Sequence, residues 1–111
     1  MRQLIAQLAP GAVALTTLYD CPEQHEADVD SILVCNRGAT AATFRVAMAL
    51  SGAAISNEQY HYYDFPIDAN DTFLAALAMT LRPGDIIRVY ASSANLSFNM
   101  YGNVIYPAPL R

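Results

Sequence analysis

The sequence feature that most constrains this fold is a two-residue alternation of apolar side chains along most of the chain. Period two places successive side chains on opposite faces of a β-strand, so one face can be buried. Turn-forming residues interrupt the alternation about every 8–12 residues, a spacing typical of sandwiches and barrels. We therefore predict an all-β fold, an antiparallel β-sandwich of about seven or eight strands, either immunoglobulin-like or jelly-roll.

Residues 40–50 are the clearest strand of this kind. The residues expected to point inward are Phe44, Val46, Met48 and Leu50, and those expected to point outward are Thr43, Arg45, Ala47 and Ala49. Further strands are predicted over residues 13–19, 28–36, 60–65, 72–81, 86–91 and 97–106.

Glycine and proline mark the expected turns. Gly38 follows Asn36 and Arg37, and we predict a hairpin there that joins strands 28–36 and 40–50. In Arg82-Pro83-Gly84-Asp85, Pro83 presets its own φ and Gly84 can supply the positive φ of a type II turn. Pro66 is expected to end strand 60–65, because proline cannot donate to a sheet ladder.

Residues 72–81 allow two interpretations. Their composition is helix-forming, and Asp71 could cap a helix that begins there. The same segment alternates, with one face made of Phe73, Ala75, Leu77, Met79 and Leu81. Because the neighbouring segments are strands, we interpret residues 72–81 as a strand.

Composition points to a soluble domain that associates with copies of itself. The chain has 111 residues, the size of one domain. Only 14% of them are charged, which is low for the surface of a monomer. We therefore expect part of the surface to be covered by a partner, with homo-oligomers as the expected form.

Charge and hydropathy exclude two classes of partner. The net charge is −4, and the six basic residues are scattered rather than clustered. We therefore predict no direct binding to nucleic acid, which needs concentrated positive charge. Apolar runs are too short to span a membrane, and polar or helix-breaking residues interrupt the N-terminus before it can form a signal peptide. Synthesis in the cytoplasm is expected.

The two ends of the chain differ from its middle. We divide the sequence into an N-terminal arm at 1–11, a sandwich domain at 12–106 and a C-terminal tail at 107–111. The arm carries Leu4, Ile5 and Leu8, and the other end carries Ile105, Tyr106 and Leu110. We predict that these residues are ordered by contact with another subunit. The alternative is that Leu4, Ile5 and Leu8 fold back on the same sandwich as a short helix.

An aromatic segment, residues 60–63, is the other candidate interface. By alternation Tyr60 and Tyr62 share a face with Asp64, whose charge indicates that this face is wet. Tyrosine combines a large apolar area with a polar tip, as protein and sugar interfaces require. Ordinary packing with a solvated hydroxyl explains the same pattern. Of the two binding roles, a protein interface fits better, because the acids and amides of a sugar site do not converge here.

Catalytic and metal-binding patterns are weak. The nearest approach to a zinc site is Cys21, His25, Glu26 and Cys35, which lacks the second ligand pair of a structural zinc site. We interpret the two cysteines as free thiols, as a cytoplasmic origin favours. Cys35 lies in an apolar strand, where a thiol is unreactive. We predict no catalytic residues, no metal site and no cofactor.

Several stretches together resemble a family of small β-sandwich proteins encoded among the virion genes of tailed bacteriophages and prophages. They are SILVCNRG at 31–38, TFRV at 43–46, YYDFPI at 62–67, ANDTF at 69–73, GDIIRVYAS at 84–92 and ANLSFN at 94–99. The resemblance spans residues 18–104 and is carried by the set of motifs. It implies a non-enzymatic structural subunit of the virion, on head, neck or tail, whose partners are other virion proteins. The rival hypothesis is a carbohydrate- or host-receptor-binding module built on the tyrosines.

Overall fold

The computed structural model describes residues 3–52, 54 and 57–107, and it folds them into two packed four-stranded antiparallel sheets. The strands are β1 (Gln3–Leu8), β2 (Thr16–Asp20), β3 (Glu26–Asn36), β4 (Ala42–Ala49), β5 (Tyr60–Ile67), β6 (Thr72–Leu81), β7 (Ile86–Ala91) and β8 (Leu96–Ile105). Two short 3₁₀ turns, Leu50–Gly52 and Asn57–Gln59, lie between β4 and β5. The prediction of an all-β sandwich is confirmed.

The strand order is that of a jelly roll. The first sheet has the order β1-β8-β3-β6 and the second has the order β2-β7-β4-β5. Strands pair as β1 with β8, β2 with β7, β3 with β6 and β4 with β5, so the described chain is one long antiparallel hairpin rolled up on itself. This arrangement excludes the immunoglobulin-like alternative, in which the first two strands pair in one sheet, because β1 and β2 lie in different sheets here.

The predicted hairpin between residues 28–36 and 40–50 is wrong, because β3 and β4 lie in different sheets. The buried Asn36 side chain holds the connection between them. Its amide nitrogen donates to the carbonyl oxygens of Thr40 at 2.9 Å and Asp68 at 3.2 Å, and its oxygen accepts from the amide of Gly38 at 2.9 Å. Gly38 serves close packing here, since a Cβ would lie 2.6 Å from Nδ2 of Asn95.

The core lies between the sheets and follows the predicted alternation closely. Its largest fully buried side chains include Phe44, Phe98, Ile32, Leu81, Ile87, Leu96 and Met100. Residues 72–81 form strand β6, with Ala75, Leu77 and Leu81 buried, as the strand interpretation predicts. The turn before β7 is also confirmed, because Gly84 has a φ of 91° and the Asp85 amide donates to the Arg82 carbonyl oxygen.

Several strand ends differ from the prediction. β2 begins only at Thr16, since Val13 has a φ of 57° and its side chain is exposed. Leu50 points to solvent because it begins a 3₁₀ turn that leaves the sheet. Ala47 and Ala49, predicted to point outward, stand opposite Arg88 and Ile86 and are buried nonetheless. β5 continues through Pro66, which an edge strand tolerates because one side of its ladder is free.

The N-terminal segment is part of the sandwich. Residues 3–8 form β1, whose Ala6 and Leu8 stand opposite Met100 and Phe98 of β8. Both predictions for this segment, a free arm and a short helix, are therefore wrong for residues 3–8. As an edge strand, β1 packs Ile5, Ala6 and Leu8 against the core and pairs its backbone with that of β8. Leu110 lies outside the described residues.

Candidate binding surface

Strand β5 carries two irregularities that decide which way its tyrosines point. On the β4 side, Arg45 alone stands opposite both Tyr63 and Asp64, and His61 is an extra residue between Tyr62 and Tyr60. Such β-bulges change the direction of the side chains that follow. Asp64 adopts a φ of 50°, a left-handed conformation that Asp tolerates better than most residues.

These bulges place Tyr62 with the core. Its ring lies 5.9 Å from that of Phe44, 5.3 Å from Phe65 and 5.8 Å from Phe73, measured between centroids. The half-buried Tyr62 thus closes the side of the sandwich between β5 and β6. The prediction that Tyr60, Tyr62 and Asp64 share one face is wrong, because alternation holds only where a strand has no bulge.

The outer face of the second sheet instead gathers Tyr60, Tyr63, Tyr90, Arg45 and Asp64, which we call the tyrosine–arginine face. The Arg45 guanidinium carbon lies 4.2 Å from the centroid of the Tyr63 ring and 4.3 Å from that of Tyr90. Cation–π attraction holds the guanidinium against both rings. Tyr60 meets Tyr63 edge to face, with centroids 4.9 Å apart.

Asp64 holds the centre of this face in place. Its carboxylate accepts two hydrogen bonds from Arg45, at 2.6 Å from Nε and 3.3 Å from Nη2. Hydrogen bonding to Asp64 raises the pKa of the Arg45 guanidinium. The positive charge is therefore fixed in position and already paired, so the face offers a binding partner a rigid, largely neutral aromatic surface.

A shallow cleft lies at one end of this face. It is lined by Asn57, Tyr60 and Tyr63 and has a volume of about 430 Å³. Tyr63 is 58% exposed, so one ring borders both the cleft and the Arg45 stack. An aromatic ring beside an amide is a combination that binds either a protein side chain or a sugar.

The structure does not gather the other predicted interface residues into one surface. Leu4 is exposed on the first sheet, whereas Ile5 and Leu8 are half-buried and pack against the core. Ile105 ends β8 opposite Glu26. Tyr106 is 64% exposed, and its ring stacks on His25 at a centroid distance of 4.5 Å. Among the predicted interface residues that the structure describes, only Tyr60 belongs to the tyrosine–arginine face.

Sequence alternation placed Asp64 on one face with Tyr60 but missed Tyr63, Tyr90 and Arg45 as members of this surface. The only available signal was Asp64 within an aromatic strand, because Asp is a residue that can occupy the left-handed position of a bulge. The pairing of Arg45 with Tyr90 depends on β4 lying beside β7, which the sequence pattern does not specify.

The cysteines lie far apart in the fold and are both free. Cys21 follows β2, and its buried thiol points at the carbonyl oxygens of His25 and Leu81. Burial, and then the negative charge of Asp85, raise the pKa of the Cys21 thiol. Cys35 lies near the other end of β3, opposite Thr72. Within the described residues, no three His, Cys, Asp or Glu side chains form a group that could hold a metal ion.

None of the described residues forms a helix with the length and apolar character needed to cross a membrane. Comparisons with protein-family models, with curated proteins and with solved structures found no match to this chain.

Proposed function

We propose that this protein is a non-enzymatic structural subunit of a tailed-phage virion and acts through protein–protein contacts. The observation that carries the proposal is the tyrosine–arginine face. Tyrosine and arginine dominate the energetically important positions of protein interfaces. Here both residue types stand together on an open sheet face, and ring contacts and the Asp64 ion pair hold them in place.

Two further arguments support the virion role. The sequence motifs at residues 31–99 resemble those of small virion proteins of tailed phages. The jelly-roll strand order is an architecture that viral capsid proteins use, although lectins use it as well. Because one fold serves many functions, the strand order is an argument by analogy. The virion location rests on the sequence motifs, and the protein–protein contacts rest on the tyrosine–arginine face.

Rigidity makes the face suitable for a permanent contact. A side chain that is already fixed loses little conformational entropy when a partner binds. Arg45 contacts the carboxylate of Asp64 and two rings, so it is positioned before association. A partner that covers Tyr63 and Tyr90 would therefore gain their apolar burial at little further entropic cost.

The proposal is tested by incorporation into particles. Phage particles are assembled with the wild-type protein, with Tyr63→Ala or with Tyr106→Ala, and the protein that co-sediments with purified particles is measured. Tyr63 and Tyr106 are similarly exposed, at 58% and 64%, but only Tyr63 belongs to the tyrosine–arginine face. We expect Tyr63→Ala to be lost from particles and Tyr106→Ala to be retained. Absence of the wild-type protein from particles would refute the virion role.

A carbohydrate- or host-receptor-binding module remains the second candidate, favoured by the cleft of Asn57, Tyr60 and Tyr63. As a free domain, such a module would bind host cells or a glycan array. That binding would be lost in Tyr60→Ala, which removes a ring that lines the cleft. Tyr62→Phe, which keeps the aromatic packing of the core, is the matched control and should bind as the wild type does.

A further inference from the structure

The free edges of the sandwich differ sharply in how well they are protected against pairing. Edge strands present unpaired N–H and C=O groups, which proteins commonly protect by shortness, bulges, charge or proline. The edge strands of the two sheets are β1, β6, β2 and β5. β1 and β2 are short, with six and five residues, and both carry a bulge. β5 carries two register shifts, Pro66 and the charged Asp64.

Strand β6 has one register shift against β3, where Val29 and Ser31 stand opposite Met79 and Ala76, but its edge is not protected by shortness, charge or proline. It is ten residues long, and its sequence, TFLAALAMTL, contains no charged residue, no proline and no glycine. Its outward side chains are exposed, and Leu74 is 57% exposed. Phe73 and Met79 point inward but are only half-buried, because they stand at the open edge of the core. A long, uncharged edge of this kind is a template for another strand.

The sequence of β6 is complementary to itself when two copies run antiparallel about Ala76. Residues that stand opposite each other in such a pair must point to the same face of the sheet, and a two-fold axis at Ala76 satisfies this. On the inner face, Phe73 meets Met79 and Ala75 meets Leu77. On the outer face, Leu74 meets Ala78 and Thr72 meets Thr80. Leu74 and Leu77 each stand opposite an alanine, and the one pair of large side chains joins Phe73 to Met79, whose sulfur packs well on aromatic rings.

The ends of the strand are complementary in charge. Asp71 immediately precedes β6 and Arg82 immediately follows it, and both side chains are exposed. Antiparallel pairing about Ala76 places Asp71 of one copy opposite Leu81 of the other and Arg82 opposite Asn70, so each Asp71 lies one position away from the other copy's Arg82. Each copy carries a net charge of −4, and this nearness of unlike charges offsets a small part of the repulsion between the copies.

We infer that β6 pairs with β6 of a second copy of this chain, antiparallel and centred on Ala76, and joins the two first sheets into one continuous sheet. The inference rests on the proposed function only in that it takes self-association to be part of the structural role. The tyrosine–arginine face lies on the other sheet, so it stays available to a different partner.

The test uses a pair of opposite-charge variants at the centre of the contact. Ala76→Lys and Ala76→Glu each place two like charges directly opposite each other across the axis. Ala41→Lys is the matched control, because Ala41 is exposed in the loop before β4. Sedimentation velocity over a dilution series, with circular dichroism to verify folding, measures association.

We expect a wild-type dimer, an unchanged Ala41→Lys dimer, and dissociation constants for both Ala76 variants that are raised at least about tenfold. A mixture of the two Ala76 variants should recover the wild-type affinity, because unlike charges then meet at the axis. Ala78→Lys, away from the axis, provides a second disruptive variant if either Ala76 variant fails to fold.

A wild-type oligomer that persists in Ala76→Lys would overturn this inference and leave the virion role intact. If the mixture of Ala76→Lys and Ala76→Glu does not recover the wild-type affinity, the two-fold axis does not lie at Ala76. If the wild-type protein is a monomer at every concentration, the inference is wrong. The virion role is tested separately, by incorporation into particles.

Discussion

At Gly102, β8 passes so close to β3 that no side chain fits. Gly102 stands opposite Val29, next to the register shift between Val29 and Ser31, and an added Cβ would collide with the carbonyl oxygen of Asp28. We expect Gly102→Ala to lower the free energy of unfolding by about 2–3 kcal/mol, because a backbone atom cannot move aside cheaply. Urea denaturation measures the loss. Gly11→Ala is the control, since its Cβ would meet nothing within 4 Å, and it should change stability by less than about 0.5 kcal/mol.

The buried thiol of Cys21 makes stability depend on pH in the alkaline range. Its pKa in the folded protein is raised above the ordinary value of 9.0, chiefly by burial. The unfolded chain therefore releases this proton at a lower pH than the folded protein. The stability contributed by the protonated thiol is complete below about pH 9 and is lost as pH rises through the folded-state pKa.

We therefore expect the free energy of unfolding to fall above about pH 9, and to fall less steeply in Cys21→Ala. Tyr19, whose pKa burial also raises, leaves some slope in that variant. Cys35→Ala is the control and should retain the wild-type slope. Equal slopes in both variants would contradict the role of Cys21.

At the scale of the strand, β1 shows that the burial of apolar side chains can determine the structure of a segment against the preference of its local sequence. Ile5, Ala6 and Leu8 pack against the core, and Gln7 donates to the side chain of Asn99 at 2.7 Å. We expect deletion of residues 1–9 to lower the free energy of unfolding by roughly 2–4 kcal/mol, because apolar area is exposed and β8 becomes an edge. Thermal unfolding provides the measurement. Leu4→Ala is the control, since Leu4 is exposed. If the deletion lowers stability no more than Leu4→Ala does, β1 does not contribute to the stability of the fold.

Asp64 affects the β5 bulge in two ways, through its ion pair with Arg45 and through its positive φ, and substitutions at this position can separate them. Asp64→Asn removes the ion pair with Arg45 but retains a residue that tolerates positive φ, so it should cost at most about 1 kcal/mol. Asp64→Ala should cost about 1 kcal/mol more, because Ala disfavours that conformation. Chemical denaturation of both variants measures the difference. Equal stabilities would show that the backbone conformation of Asp64 carries no penalty.

Two-residue alternation in the sequence predicts the strands well. It assigns side chains to the wrong face where the backbone departs from a regular strand. The inward face of β6, from Phe73 to Leu81, follows from period two alone, because that strand keeps its alternation throughout. Tyr62 was misplaced because the extra residues in β5 reverse the faces, and a bulge leaves no periodic trace in a sequence. The tyrosine–arginine face was therefore only partly predictable, through Tyr60 and Asp64.

At the scale of the whole molecule, the sequence pattern does not specify which distant strands pair with each other. Gly38 resembles a hairpin glycine, yet β3 pairs with β6 and β8 while β4 pairs with β5 and β7. The buried amide of Asn36, which bonds to the backbone of Gly38 and Thr40 in its own loop and to that of the distant Asp68, turns the chain from one sheet to the other. Such a contact joins residues about 30 positions apart, beyond the reach of local turn rules.

Net charge and the uncharged β6 edge together predict how association depends on salt. Two copies of a chain with a net charge of −4 repel each other, and β6 itself contributes no charge to the contact. Screening weakens exposed attractions and repulsions alike, but the net repulsion exceeds the attraction between Asp71 and Arg82 of the two copies. We therefore expect added sodium chloride to strengthen dimerisation modestly, as measured by sedimentation velocity at constant pH. Arg82→Ala, which makes each copy more negative, should weaken the dimer at low salt and recover as salt is added. A dimer that dissociates with salt would instead require a contact dominated by opposite charges, which the β6 edge does not provide.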